Sequence, residues 1–258
     1  LIDLRLGDCR EVLASLAPES VDLTVTSPPY DNLRTYNGFT FDFEGIAREL
    51  YRVTKPGGVV VWVVGDATVK GSETGTSFRQ ALYFRDVCGF NLHDTMIWAK
   101  PNPVPTQSTR YQAATEYMFV LSKGSPKATN ILRETSVSAG GKRAKHRARL
   151  GGHDDNSEGA YTYAPDKIRS NYWLIPVGGA KKDERHPAAY PEALARDHIL
   201  SWSNEGDTVL DPFLGSGTTG KMARQHGRKF VGIEISPEYL AIAQKRIADA
   251  KPNDLLAA

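Results

Sequence analysis

Asp207-Thr208-Val209-Leu210-Asp211-Pro212-Phe213-Leu214-Gly215-Ser216-Gly217-Thr218-Thr219-Gly220 is the stretch on which the fold turns. Asp207 to Asp211 is a short apolar run that stops at a turn of Gly, Ser and Thr, and a helical pattern then runs from Thr218 to His226. Working outward, a second apolar run, Phe230 to Ile235, follows Gly227. Pro237 then opens a stretch whose Tyr239, Leu240, Ala243 and Ile247 recur at helical spacing. The spacing predicts strand, helix, strand, helix. Gly215 to Gly220 satisfies G-x-G-x-x-G between a strand and a helix, and Glu234 closes the next strand about twenty residues on. Such glycines let a backbone approach a ligand closely, a helix N-terminus offers free N–H groups, and the acid can accept from two ribose hydroxyls. A tight turn that only packs strand on helix has the same glycines, but does not need the acid.

The start of the chain has the same grammar: a strand over Ile2 to Leu6, a helix over Cys9 to Leu16, and a strand over Val21 to Thr26 that runs into Ser27-Pro28-Pro29-Tyr30. A helix over Phe43 to Thr54 and a buried strand over Val59 to Val64 are divided by Lys55-Pro56-Gly57-Gly58. A helix over Ser77 to Val87 leads to strands over Leu92 to Ala99 and Glu116 to Leu121. The pattern predicts an α/β fold with a doubly wound, seven-stranded, mostly parallel sheet and a late hairpin. Between Gly124 and Tyr172 the alternation stops, in a stretch longer than loops inside a compact sheet. We read 1–123 and 173–258 as two halves of one domain and 124–172 as an insertion. Within it Lys142, Arg143, Lys145, Arg147 and Arg149 share an eight-residue window with no acid. That cluster is either a solvated face or a phosphate-binding surface.

Composition narrows the class. At 258 residues the chain has room for one α/β domain with an insertion. Hydrophobic residues at 40% and charged residues at 24% exclude a disordered, collagenous or coiled-coil chain, and a net charge of +2 makes the distribution of charge more telling than its sum. No run is long and apolar enough to span a membrane, and Leu1-Ile2-Asp3-Leu4-Arg5 lacks the pattern of a signal peptide, so the expectation is a soluble, cytoplasmic protein. Cys9 and Cys88 have neither disulfide nor zinc spacing and read as reduced packing residues; no metal is expected.

The glycine loop usually holds a nicotinamide dinucleotide, but the Asp211 carboxylate would sit poorly beside a pyrophosphate. It suits a ligand with an ammonium and an adjacent sulfonium, and S-adenosylmethionine is such a ligand. The ligand's carboxylate could then take the helix N-terminal amides and the hydroxyls of Ser216 or Thr218. Ser27-Pro28-Pro29-Tyr30 leaves a strand at the carboxyl edge of the sheet, where open α/β folds place ligands. Proline removes backbone donors and fixes φ, so the segment is a stiff acceptor surface. Ser27 Oγ and the Pro28 carbonyl can take both protons of an exocyclic amine, and Tyr30 offers a stacking face. Held so, the nitrogen becomes pyramidal with its lone pair toward the electrophile, and no strong base is needed. A strand-ending turn has the same residues. Asp8 either accepts from the cofactor's adenine amine or N-caps the helix that follows. His93 and His186 stay outside the catalytic set, since the chemistry does not need them.

Together these segments resemble the β class of amino-group DNA methyltransferases, over most of the chain. Asp211-Pro212-Phe213-Leu214-Gly215-Ser216-Gly217-Thr218-Thr219 is similar to the family's cofactor motif, Phe230-Val231-Gly232-Ile233-Glu234 to its ribose-binding strand, and Ser27-Pro28-Pro29-Tyr30 to its catalytic motif. His186-Pro187-Ala188-Ala189-Tyr190-Pro191 is similar to the segment before the cofactor loop. The resemblance implies Asp8, Asp211, Phe213, Gly215, Ser216, Gly217, Thr218 and Glu234 as cofactor-binding residues, with Ser27, Pro28, Pro29 and Tyr30 catalytic. It also implies a circularly permuted sheet of order 3-2-1-4-5-7-6 with strand 7 antiparallel. The insertion becomes a target-recognition region whose basic cluster neutralises phosphates of double-stranded DNA, and the target nucleotide must be flipped out. Homodimers are common in the class.

A serine at the first catalytic position is more usual in cytosine-N4 than in adenine-N6 enzymes, so Ser27 implies N4. Cytosine-C5 chemistry needs a thiolate after a proline, whereas Asp8 precedes Cys9 and Val87 precedes Cys88. The alternatives are adenine N6, an RNA or protein amide as acceptor, a nicotinamide-dependent oxidoreductase, and a DNA-binding module without catalysis.

Overall fold

The computed structural model describes residues 1–29, 41–103, 110–136, 142–143, 161–162, 164–177 and 190–251, with backbone alone for 142–143 and 161–162. The chain forms two compact units, Leu1–Asn130 with Asn171–Ala258, and Ile131–Ser170.

The first unit begins with β1 (Ile2–Leu6), α1 (Cys9–Ser15), β2 (Val21–Thr26), α2 (Phe43–Val53) and β3 (Thr54–Val64). A small hairpin of β4 (Thr68–Val69) and β5 (Ser72–Glu73) precedes α3 (Thr76–Tyr83), then β6 (Asn91–Ala99) and β7 (Thr115–Ser122). The second unit contains β8 (Arg133–Thr135), β9 (Lys142–Arg143), β10 (Tyr161–Thr162) and β11 (Asp166–Ile168). The first resumes with β12 (Tyr172–Leu174), α4 (Glu192–Trp202), β13 (Thr208–Asp211), α5 (Thr218–Gln225), β14 (Lys229–Glu234) and α6 (Pro237–Ala248).

The main sheet runs β1-β14-β13-β2-β3-β7-β6-β12. β7 is antiparallel to both neighbours and the other pairings are parallel. Read from β1 to β6, this is the permuted order 3-2-1-4-5-7-6 that the resemblance implies. The strand count differs from the expected seven: β12 adds an eighth, paired with β6 from Tyr172↔Ile97 to Leu174↔Ala99. Three residues are too few to show a period. The segment up to Asn130 also stays with the first unit, where Lys127 N donates to Gly57 O and Asn130 N to Ser201 O.

Local chemistry explains most boundaries. Asp42 caps α2 by accepting from Gly45 N, and Ser236 caps α6, with Pro237 at its first turn. The expected turn at Lys55 to Gly58 is instead the start of β3, with Gly57 N donating to Lys123 O and Lys123 N to Gly58 O. The expected helix over Ser77 to Val87 stops being α-helical at Tyr83. A π turn over Phe84–Cys88, closed by Gly89 at φ +92°, seats Phe84 between Trp62 and Phe43, at ring separations of 5.1 and 5.3 Å.

The sheet is buried on both faces, and β3 alternates accordingly. Val59, Val61 and Val63 face a core with Ile199 of α4, Met222 of α5 and Ala243 of α6. Val60, Trp62 and Val64 face one with Leu13 of α1, Leu50 of α2 and Ala81 of α3. No helix among the described residues is long and apolar enough to cross a membrane.

Candidate active site

β13 and β2 lie side by side and parallel, paired at Val209↔Leu23 and Leu210↔Thr24, so the segments that follow them leave the same edge of the sheet. Beyond the last pair, Thr26 Oγ1 donates to Asp211 Oδ1 at 2.7 Å across 185 positions of sequence. Ser27-Pro28-Pro29 and the glycine loop therefore start from residues in contact. The next two strands end at this edge with Leu6 opposite Glu234, and Gly7 N donates to the Glu234 carbonyl at 2.9 Å. Strand ends β1, β14, β13 and β2 thus bring Asp8, Glu234, Asp211 and Ser27 to one edge.

Glu234 anchors the loop through its own carboxylate. Oε2 accepts from Gly215 N at 2.8 Å and Oε1 from Ser236 N at 2.9 Å. Each oxygen keeps a lone pair for a further donor. Gly217, at φ +82°, opens α5 with no side-chain cap, leaving first-turn N–H groups to be satisfied by something outside the helix. A Cβ there would come 2.9 Å from Ala243 Cβ, and one at Gly220 would collide with Ile247 and lie 2.6 Å from Phe230. The loop is thus pressed onto α6 from behind. Arg246 of α6 braces it further, Nη1 donating to the carbonyl and hydroxyl oxygens of Ser216 at 2.7 and 2.8 Å while Nη2 donates to Glu192 Oε1 at 3.1 Å. A diol-accepting carboxylate, an uncapped helix start and a glycine cradle fit the ribose and carboxylate of an adenosyl amino acid.

Asp211 is 1% exposed and accepts three bonds, with the Tyr190 hydroxyl beside it. Oδ1 takes Thr26 Oγ1 and Phe213 N at 3.1 Å; Oδ2 takes Thr219 Oγ1 at 2.6 Å and lies 3.3 Å from Tyr190 Oη, whose single proton goes to the closer Thr219 Oγ1. Buried and bonded in this way, the carboxylate turns into the protein rather than toward a ligand's ammonium. Burial pushes its pKa up, while the hydroxyls of Thr219, Thr26 and Tyr190 and the Phe213 amide oppose that rise. Asp8 takes the N-cap position of α1, accepting from Arg10 N at 2.9 Å, and its ion pair with Arg10 lowers its pKa. Phe213 packs edge-on against Phe41 at 5.7 Å, and Thr218 is buried at the start of α5.

On the acceptor side Pro28 is buried and Ser27 and Pro29 are half-buried. Tyr30 lies outside the described residues, as do His186, Lys145, Arg147 and Arg149. Lys142 and Arg143 are described by backbone alone, as β9 paired antiparallel with β10. His93 packs edge-on to Trp202 at 5.4 Å. Burial and the Asp8 charge push the Cys9 thiol up to about 12, the reverse of a nucleophilic thiolate. Sequence reasoning passed over Thr26, Thr219, Tyr190 and Arg246 as site residues. Tyr190 and Thr219 lay inside quoted motifs, but nothing in the string marks a hydroxyl that bonds across the sheet.

Fold and edge define the class: a permuted methyltransferase sheet whose glycine loop and proline-rich segment share one end. The chain belongs to the DNA methylase family of N6 and N4 amino-methyltransferases, whose family model matches residues 21–245. It is 53% identical over 250 residues to the orphan methyltransferase M.BamHII of Bacillus amyloliquefaciens, covering 94% of this chain and 90% of that protein. TTHA0409 of Thermus thermophilus, solved with S-adenosyl-L-methionine, is 30% identical, with 98% and 96% of the two chains covered and a TM-score of 0.68. The cytosine-N4-specific PvuII DNA methyltransferase, at 23% identity, covers 98% of this chain and 88% of its own with a TM-score of 0.72, a likeness of fold. The chain is a site-specific DNA amino-methyltransferase, and its family draws the methyl group from S-adenosylmethionine. The nicotinamide alternative falls with that membership.

Proposed function

We propose that the chain methylates the exocyclic N4 amine of a flipped-out cytosine in duplex DNA, with S-adenosylmethionine as donor. The observation that carries the reading is the Thr26–Asp211 contact, since it starts the acceptor segment and the cofactor loop from touching residues. Glu234 would take the ribose hydroxyls, while the α5 N-terminus and Thr218 would take the carboxylate of the methionine end; Ser216, braced by Arg246, shapes the turn between them. When bound, the cofactor supplies an electrophilic methyl on a sulfonium. The chain's own part is to hold the amine: Ser27 Oγ and the Pro28 carbonyl accept its two protons, and the rigid backbone keeps the nitrogen lone pair aimed along the transfer line. Tyr30 stacking would offset part of the few kcal/mol that flipping costs.

Ser27, as the serine of the resembled catalytic motif, favours cytosine N4 over adenine N6. Within the basic cluster, Lys142, Arg143, Lys145, Arg147 and Arg149 would neutralise phosphates, and the unit Ile131–Ser170 that contains them would read the target sequence. A homodimer acting on DNA at the nucleoid, in the cytoplasm, completes the reading. The test is to incubate the protein with labelled S-adenosylmethionine and unmethylated duplex DNA, digest, and identify the modified nucleoside by mass spectrometry. N4-methylcytosine is the expected product. N6-methyladenine would overturn the base and keep the amine-holding scheme, and unmodified DNA would overturn both.

A further inference from the structure

The registered ladder between β13 and β2 stops at Leu210 and Thr24, short of both reactive segments. Side chains carry the connection from there. Thr219 Oγ1 lies 2.6 Å from Asp211 Oδ2 and 3.3 Å from Val25 O, but a hydroxyl has one proton, and the shorter, charge-assisted bond takes it. The close contact between Tyr190 Oη and Thr219 Oγ1 then has Tyr190 as its donor. Thr26 donates to the other carboxylate oxygen. The result is a relay from Tyr190 through Thr219 to Asp211, met by Thr26 from the opposite side. Its members come from four places: the residue before the α4 cap, α5, the end of β13 and the end of β2.

We propose that Tyr190 and Thr26 are positioning residues for methyl transfer, their hydroxyls holding the glycine loop and Ser27 at a fixed separation through Thr219 and Asp211. This rests on the reading of Ser27-Pro28 as the amine acceptor and of the loop as the cofactor site. Neither Tyr190 nor Thr26 needs to touch substrate. Thr26 is one peptide bond from Ser27 and Asp211 is four residues before Gly215, so a carboxylate that swings, because Thr26 is gone or because Thr219 turns once Tyr190 no longer holds it, displaces both ends of the transfer line. A displacement of about 1 Å at such a site is enough to slow chemistry while leaving ligand affinity nearly unchanged.

The experiment compares wild type with Tyr190→Phe, Thr26→Val, Thr26→Ser, the Thr26→Val/Tyr190→Phe double variant and Ser27→Ala. Three quantities are read for each: kcat per folded molecule on unmethylated duplex, cofactor Kd by calorimetry, and melting temperature. Tyr190→Phe and Thr26→Val are expected to lose roughly 3- to 10-fold in kcat with Kd changed by less than about 2-fold. Thr26→Ser, which keeps the hydroxyl, restores the rate, and the double variant falls no further than the worse single one, because both act on one carboxylate. Unchanged kcat in Tyr190→Phe and Thr26→Val beside an inactive Ser27→Ala overturns the relay and leaves the acceptor reading standing. So does a loss confined to melting temperature, or losses that multiply in the double variant. Full turnover by Ser27→Ala overturns the acceptor reading and the relay with it.

Discussion

The two ends of the main sheet bury polar groups in different ways. At the carboxyl end, Thr26, Asp211, Thr219 and Tyr190 bond across separations of up to 185 residues. At the amino end, Arg228 lies before β14 and donates to Ser203 O at 2.7 Å, Ser203 Oγ at 3.1 Å and His226 O at 2.5 Å, partners 25 and 2 residues away. Neither ring nitrogen of buried His226 has a partner among the described residues. Range alone does not separate the ends, since Thr208 N donates to Asp22 Oδ2 at 2.9 Å across 186 positions at the amino end; what differs is that the carboxyl-end cluster adjoins Ser27 and the glycine loop, whereas Arg228 ties the end of α4 to the turn before β14. The first cluster should therefore govern rate and the second stability.

The largest effect should come from Ser27→Ala, with cofactor affinity retained and kcat lower by about 100-fold or more, since one of two acceptors on the reacting amine is gone. Turnover within a few-fold of wild type would remove Ser27 from the site. At the other end, Arg228→Met should lower unfolding free energy by about 2–3 kcal/mol, because two carbonyls and a hydroxyl lose a buried donor, with kcat per folded molecule unchanged. Denaturant melts beside turnover measurements check this, and a rate loss without a stability loss would reverse the contrast between the ends.

Arg246→Met occupies a middle ground. It frees Ser216 and leaves Glu192 with Lys221, at 2.7 Å, as its remaining described partner. Cofactor Kd should rise by about 3- to 10-fold with a smaller change in kcat, read by calorimetry and steady-state kinetics; an unchanged Kd would mean that the loop holds its shape without the brace. The smallest effect concerns pH. Burial, then the charges of Arg228 and Arg196, lower the His226 pKa from its ordinary 6.5. The unfolded chain therefore takes up the proton first, and this residue's contribution is full above about 6.5 and lost as pH falls toward the lowered value. Melting temperature followed from about pH 7.5 to about 5.5 should fall more steeply for wild type than for His226→Asn. Parallel curves would show that His226 titrates alike in both states.

The frame of the molecule was legible in the string because strand and helix periods differ and the glycine, proline and acidic motifs sit at strand ends. Those features yield the shared edge and the loop from Gly215 to Thr218, while the permuted order was implied by the family resemblance that the motifs carry. What stayed hidden depends on tertiary contact. β12 is too short to carry a period, and Lys55 to Gly58, composed like a turn, is held as strand by pairing with Lys123. Asp211 reads as a ligand-facing acid until its three donors and its burial are seen, and Asp8 has the same composition whether it caps α1 or meets an adenine. Tyr190 and Arg246 gain meaning from partners 29 and 30 residues distant in sequence, Thr219 and Ser216, which no local pattern encodes.

The most direct measurement is the structure of the full chain bound to S-adenosylhomocysteine and a target duplex. The account expects an extruded cytosine whose amine nitrogen lies about 3 Å from both Ser27 Oγ and the Pro28 carbonyl oxygen, on the glycine-loop side of the sheet edge. A target base bound elsewhere, with Ser27 and Pro28 contacting neither the amine nor the base, would contradict it.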